Sequence, residues 1–112
     1  MFKFFICIDV QKRFITIPGE NQISMINIDQ YKLIRKIEVP GSRWICGVCM
    51  LNKNMLLTGD QAKIISQWKI EGDNLILVSK KENAHDDTIG VLLNIGNGFI
   101  ASGSVDNSIK IW

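Results

Sequence analysis

Cys46-Gly47-Val48-Cys49 is a C-x-x-C with Trp44 just before it, a spacing at which two thiols can share a redox step or half a zinc site. A redox dithiol needs its first Cys at a helix N-terminus, where the helix dipole lowers the thiol pKa. Here the motif lies inside a run that reads as a strand, and no helical pattern follows it. A zinc site would need a second pair, and the remaining candidates, Cys7 and His85, are distant in sequence. Two Cys in a buried strand behave as small hydrophobes, and that is the expected reading. A small thiol or zinc protein using Cys46 and Cys49 stands as an alternative. His85-Asp86-Asp87 sets a base beside two carboxylates. No motif places a Ser or Cys nucleophile, and His85 has no second His to form a metal pair. The glycines of IGNG and SGSVDN follow neither a GxGxxG nor a Walker pattern, so they read as turns and not as phosphate cradles. The expectation is a chain that is not an enzyme, with no catalytic residue, no metal and no cofactor.

The elements that carry these residues are bounded by composition. The chain has 112 residues, 46% hydrophobic and 21% charged, an ordinary globular balance for one domain. Thirteen Lys and Arg against eleven Asp and Glu leave a formal charge of +2. That excess is too small and too dispersed to point to nucleic acid or an anionic membrane, and neither is expected as a partner. The opening MFKFFICIDV is broken by Asp9 and lacks a small-residue cleavage site, so it does not read as a signal peptide. No apolar run reaches the roughly 20 residues of a membrane-spanning helix. Three cysteines form no paired framework and no N-x-S/T site is present, so a soluble, intracellular (cytoplasmic) protein is expected.

Helix periodicity is nearly absent. The chain instead alternates short runs rich in Ile, Val, Leu and Phe with polar or Gly-containing turns. The runs are Phe2–Val10, Phe14–Ile17, Ile23–Ile28, Leu33–Val39, Ile45–Leu51, Met55–Thr58, Ile64–Ile70, Leu75–Ser79, Ile89–Ile95, Phe99–Ser102 and Ile109–Trp112. Eleven strands in 112 residues is the spacing of an all-β sandwich, barrel or propeller.

A fixed period separates these folds. MLLTGDQAKIISQW aligns without a gap on FIASGSVDNSIKIW, with Met55 on Phe99, Gly59 on Gly103 and Trp68 on Trp112, each 44 residues apart. Thr58 matches Ser102 and Ile65 matches Ile109 at the same offset. A fainter copy in FITIPGENQISMI places Phe14, Thr16, Ile23 and Met25 at 86 residues before Ile100, Ser102, Ile109 and Ile111. Four strands per period of about 44 residues is the repeat of propeller blades.

The segment HDDTIGVLLNIGNGFIASGSVDNSIKIW resembles one nearly complete WD repeat. His85 stands in the loop before the innermost strand, Asp106 in the tight turn, and Trp112 at the end of the motif. The resemblance covers these 28 residues closely and the other 84 more weakly. It implies an all-β fold of antiparallel four-stranded blades, as an incomplete propeller or open arc of about three blades. Blade one would cover about 1–39, blade two about 44–81, and blade three about 85–112 without its outer strand. It also implies a hydrogen-bonded chain of Trp112, Ser102, His85 and Asp106. In blade two Thr58 and Trp68 remain, while Gly41 stands at the His position and Ala62 at the Asp position. Blade one has Glu20 and Asn21 near the turn and no Trp.

The function implied by the resemblance is a non-catalytic scaffold that binds a protein or peptide through the loops entering each blade and the second turn of each blade. Those loops are Val39–Trp44 and Asn83–Thr88, with Pro18–Gln22, Asp60–Lys63 and Ser104–Asn107. Arg43, Trp44, Lys63, Asp86 and Asp87 are the partner-binding residues expected there. An open arc would leave apolar faces and strand edges uncovered. The chain is expected to be part of a longer protein, or a truncated product, or a unit that closes its ring by self-association. As a fragment of a longer propeller it would have no independent function.

Overall fold

The run ICGVCM of the second repeat is apolar at nearly every position, the pattern of a strand buried on both faces. A computed structural model shows why, and describes residues 7–8, 14–16, 21–27, 29–41 and 44–112. Of the opening run Phe2–Val10, only Cys7 and Ile8 therefore fall among the described residues. The strands are β1 (Cys7–Ile8), β2 (Phe14–Thr16), β3 (Gln22–Asn27), β4 (Lys32–Glu38), β5 (Ile45–Asn52), β6 (Met55–Asp60), β7 (Ile65–Glu71), β8 (Asn74–Lys81), β9 (Ile89–Gly96), β10 (Phe99–Ser104) and β11 (Ile109–Ile111). They form three antiparallel meanders: β1 to β4, β5 to β8, and β9 to β11. β6, β8 and β10 run about two residues past their expected ends, to Asp60, Lys81 and Ser104. The hairpins are tight. Between β9 and β10, Asn97 and Gly98 take φ of +55° and +81°, the left-handed pair that a two-residue turn needs to match strand twist.

Sheet two is the middle layer. Cross-strand partners share a face, so Met50 and Leu56 point one way while Cys49 and Leu57 point the other. Met50, Leu56, Val48, Trp68 and Leu75 pack against Phe14, Ile23, Met25 and Ile37 of sheet one. Cys49 and Leu57 pack against Ile89, Leu92 and Ile100 of sheet three. Burying each Ile or Leu contributes about 1.5–3 kcal/mol, so these two seams hold the layers in order. The second seam is unusually close. A Cβ on Gly59 would lie 2.5 Å from Ile89 Cγ2, and one on Gly47 would lie 3.2 Å from Leu92 Cγ. β9 thus comes closest to sheet two at two positions that carry no side chain.

One expected alignment shifts. Phe14 pairs with Met25 across eleven residues, whereas Leu57 pairs with Gln67 and Ala101 with Ile111 across ten. Phe14 therefore matches Ala101 and not Ile100. The link between β2 and β3 is one residue longer than its counterparts, and a one-residue slip turns a strand's side chains to the opposite face. The slip puts Phe14, fully buried, into the seam against sheet two.

Candidate functional site

The loop that enters sheet three and the turn between its second and third strands meet at one end of the sheet, where the Val105 N–H donates to the Thr88 carbonyl at 3.0 Å. In sheet three this end is built around His85, which is buried at 1% exposure. Its Nε2 lies 2.7 Å from Ser102 Oγ, and that hydroxyl accepts the Trp112 indole N–H at 2.8 Å. Its Nδ1 lies 3.0 Å from Asp106 Oδ2 and 3.0 Å from Ser108 Oγ. A proton on Nδ1 facing the carboxylate leaves Nε2 to accept from Ser102, which fixes the ring's orientation. The structure thus brings His85, Ser102, Asp106 and Trp112 together as one chain of hydrogen bonds.

Asp106 is the hub of the turn. Its Oδ1 accepts the Ser108 hydroxyl at 2.5 Å and the Ser108 N–H at 2.8 Å, and its Oδ2 accepts the Asp86 N–H at 2.9 Å. The Ser108 hydroxyl holds the carboxyl well below the usual carboxylate range. Partial burial opposes this, and the N–H groups of Asp86 and Ser108 and the His85 ring reinforce it. Ser104 braces the same turn, accepting the Asp106 N–H at 3.0 Å and donating to the Thr88 carbonyl at 2.8 Å. Sequence reasoning missed Ser104 and Ser108. The signal was an Asp flanked at two residues on either side by Ser, the spacing of local side-chain to backbone turns.

In sheet two Trp68 donates its indole N–H to the Thr58 hydroxyl at 3.0 Å, a buried bond. At the aligned turn Ala62 offers no acceptor, and the buried Asp60 closes it instead. Asp60 Oδ1 accepts the Ile64 N–H at 3.1 Å, and the Asp60 N–H donates to the Ile64 carbonyl at 3.2 Å. Lys63 and Asn107, one repeat apart, share left-handed φ values of +69° and +68°.

Trp44 sits at the start of sheet two with 48% of its surface exposed and φ of +49°. Asp86 and Asp87 are exposed and Lys63 is half-buried. The loop carrying the two acids is tied to the turn of sheet two by the Ala84 N–H, which donates to the Lys63 carbonyl at 2.9 Å. Arg43 and Glu20 lie outside the described residues. Cys46 occupies the irregularity between Ile45 and Gly47, its thiol 3.2 Å from the Trp44 carbonyl, while Cys49 lies in the seam against sheet three. Among the described residues no three His, Cys, Asp or Glu side chains gather as a metal site.

The amino-acid sequence matches no family model. It matches no curated protein either. The fold does have likenesses among solved structures. A chain in a structure of the mitotic checkpoint complex superposes with a TM-score of 0.75 at 16% identity, over 96% of this chain and 33% of that one. U3-55K superposes with a TM-score of 0.73 at 10% identity, over 96% of this chain and 32% of that one. The RRP9 WD40 repeats give the same TM-score of 0.73, identity of 10% and coverage of 96% and 32%. The chain therefore spans about a third of the length of the structures it matches. Three antiparallel meanders stacked face to face, 96% of this chain superposing on about a third of a set of WD40 repeats, give it the fold of a WD-repeat β-propeller, as an arc of about three blades.

Proposed function

We propose that the chain is a non-catalytic scaffold segment that binds a protein or peptide partner at the loop end of its sheets. The observation that carries this is Trp44, a large aromatic left about half exposed in a left-handed backbone conformation. Such a conformation costs a non-glycine residue about 1–2 kcal/mol, and exposing an indole gains nothing in the isolated chain. Trp and Arg are the side chains that most often anchor interfaces. Trp44, with Arg43 beside it in sequence, is the proposed anchor. Lys63, Asp86 and Asp87 form a polar rim of mixed charge that would set orientation. The reading includes no nucleic-acid or membrane partner and a location inside the cell.

Cross-linking pull-down with the wild-type chain, repeated with an Arg43→Ala/Trp44→Ala variant of unchanged melting temperature, tests the site. Loss of the captured partner is expected, and an unchanged partner set would remove these residues from the interface. A second reading is favoured by the one-third coverage of the matched structures: the chain works only within a longer propeller, or closes a ring with copies of itself. Light scattering on the purified chain separates these, since a discrete oligomer with a cooperative melt supports self-closure and aggregate without a transition supports the longer propeller.

A further inference from the structure

Three asparagines among the described residues hold a left-handed backbone: Asn83 at φ of +51°, Asn97 at +55° and Asn107 at +68°. An asparagine side chain reaches its own neighbouring main chain, so the next residue's nitrogen can attack the side-chain carbonyl carbon unless that N–H is held elsewhere. Two of these nitrogens are held. The Ala84 N–H donates to the Lys63 carbonyl at 2.9 Å, and Ala84 is fully buried. The Ser108 N–H donates to the Asp106 carboxylate at 2.8 Å. The third belongs to Gly98 and finds no acceptor among the described residues. Gly98 also brings no Cβ to hinder attack, and one built there would meet nothing within 4 Å. Nor is the Asn97 side chain engaged. Nearby Asn94 accepts the Gly96 N–H at 2.9 Å and donates to the Met50 carbonyl at 3.1 Å, whereas Asn97 makes no side-chain hydrogen bond among the described residues. Asn97 and Gly98 are both exposed. The corresponding turn of sheet two, Lys53-Asn54, is exposed as well although sheet three packs on that sheet, so exposure belongs to the hairpin tip itself.

We propose that Asn97 is a site of spontaneous main-chain modification, converting to aspartate and isoaspartate while the chain is folded. The Gly98 nitrogen bonds to Asn97 Cγ, the bond from Cγ to Nδ2 breaks, and ammonia leaves with the Gly98 proton. Water then opens the cyclic imide. Addition at Cγ gives aspartate, and addition at the main-chain carbonyl gives isoaspartate, whose main chain is one methylene longer. The net reaction consumes one water and releases one ammonia, with no oxidation or reduction. The two products differ in consequence. Asp-Gly suits the same two-residue turn as Asn-Gly, so aspartate leaves the hairpin in place. Isoaspartate lengthens a turn that sets the register of β9 and β10. That register places Ile100 opposite Asn94 and Ser102 opposite Leu92, and Ile100 and Leu92 fill the seam against sheet two. Modification at the turn therefore loosens sheet three. The turn follows Gly96, at the opposite end of β9 from Thr88 and the loop end, so the inference stands apart from the proposed function.

The test ages the full 112-residue chain in mildly alkaline buffer and follows Asn83, Asn97 and Asn107 by peptide mapping with mass spectrometry, aspartate and isoaspartate being separated by chromatography. Each site's rate in the folded chain is divided by its rate in guanidinium chloride, which cancels the intrinsic preference of each dipeptide. Folding should slow Asn107 by at least about tenfold, the worth of the bond from the Ser108 N–H to a carboxylate, and slow Asn97 by less than about threefold. Asn83, with its neighbour buried and bonded, should follow Asn107. Protection of Asn97 as strong as that of Asn107 would overturn the proposal, and so would an Asn107 that folding does not slow. Thermal melts check the consequence. The purified isoaspartate fraction should melt below the fresh chain, whereas Asn97→Asp should melt with it. An isoaspartate fraction that melts like the fresh chain would overturn the link between this turn and the seam.

Discussion

Gly59 and Gly103 occupy the same position in successive repeats, yet the structure sets opposite outcomes for adding one methyl group. At Gly59 a Cβ would meet Ile89 Cγ2 at 2.5 Å and Ile89 Cβ at 3.0 Å. Ile89 is fully buried in the seam and has no free direction in which to yield. At Gly103 the nearest atom is Cβ of Val91, in the neighbouring strand of the same sheet, at 3.8 Å, and the far face is open. Overpacking a tight seam costs about 1–3 kcal/mol, so Gly59→Ala should lose that much. For a chain of this size such a loss lowers the melting temperature by about 5–15 °C. Gly103→Ala should be neutral or gain up to about 1 kcal/mol, because a strand Ala has less unfolded entropy to lose than Gly. Thermal melts by circular dichroism on both variants give the contrast, and Ile89→Ala supplies a cycle. Ile89→Ala alone should cost about 2–5 kcal/mol. Combined with Gly59→Ala it should cost less than the sum of the two, since it removes the methyl group in the way. Additivity of the pair within about 0.5 kcal/mol would refute the claim that these two sites touch. A loss at Gly103 as large as at Gly59 would refute the openness of the far face of sheet three.

Two further outcomes follow from the turns. Asp106 has its carboxyl depressed in the folded chain, so its contribution is fully present above the ordinary carboxylate pKa of about 4 and is lost as pH falls toward the folded value. Urea midpoints measured from pH 7 down to pH 3 should fall less steeply for Asp106→Asn than for the wild type; equal slopes would mean that another carboxylate carries the acid dependence. Lys63 holds φ of +69° without the local hydrogen-bonding side chain that makes Asn tolerable there. Lys63→Gly should therefore raise stability by up to about 1 kcal/mol in the same assay, and a loss would show that the lysine side chain makes a contact worth more than the strain.

Much of the fold was legible because strand chemistry is local. Runs of β-branched and aromatic residues broken by Asn, Asp and Gly mark the eleven strands, and the gap-free match of Met55–Trp68 on Phe99–Trp112 marks the repeat. The bonds around His85 were expected only through the resemblance of residues 85–112 to a WD repeat, since the spacing alone does not say which of these side chains meet. What escaped depends on a single residue or on a partner elsewhere in the fold. One extra residue between β2 and β3 leaves composition unchanged, yet it turns Phe14 to the face of sheet one that packs on sheet two. The loss of an acid at Ala62 reads as a broken turn until Asp60, two residues earlier and buried, is seen to supply the acceptor. The contrast between Gly59 and Gly103 is invisible in sequence, because both positions read alike and only the presence of Ile89 across one of them gives the missing side chain a purpose.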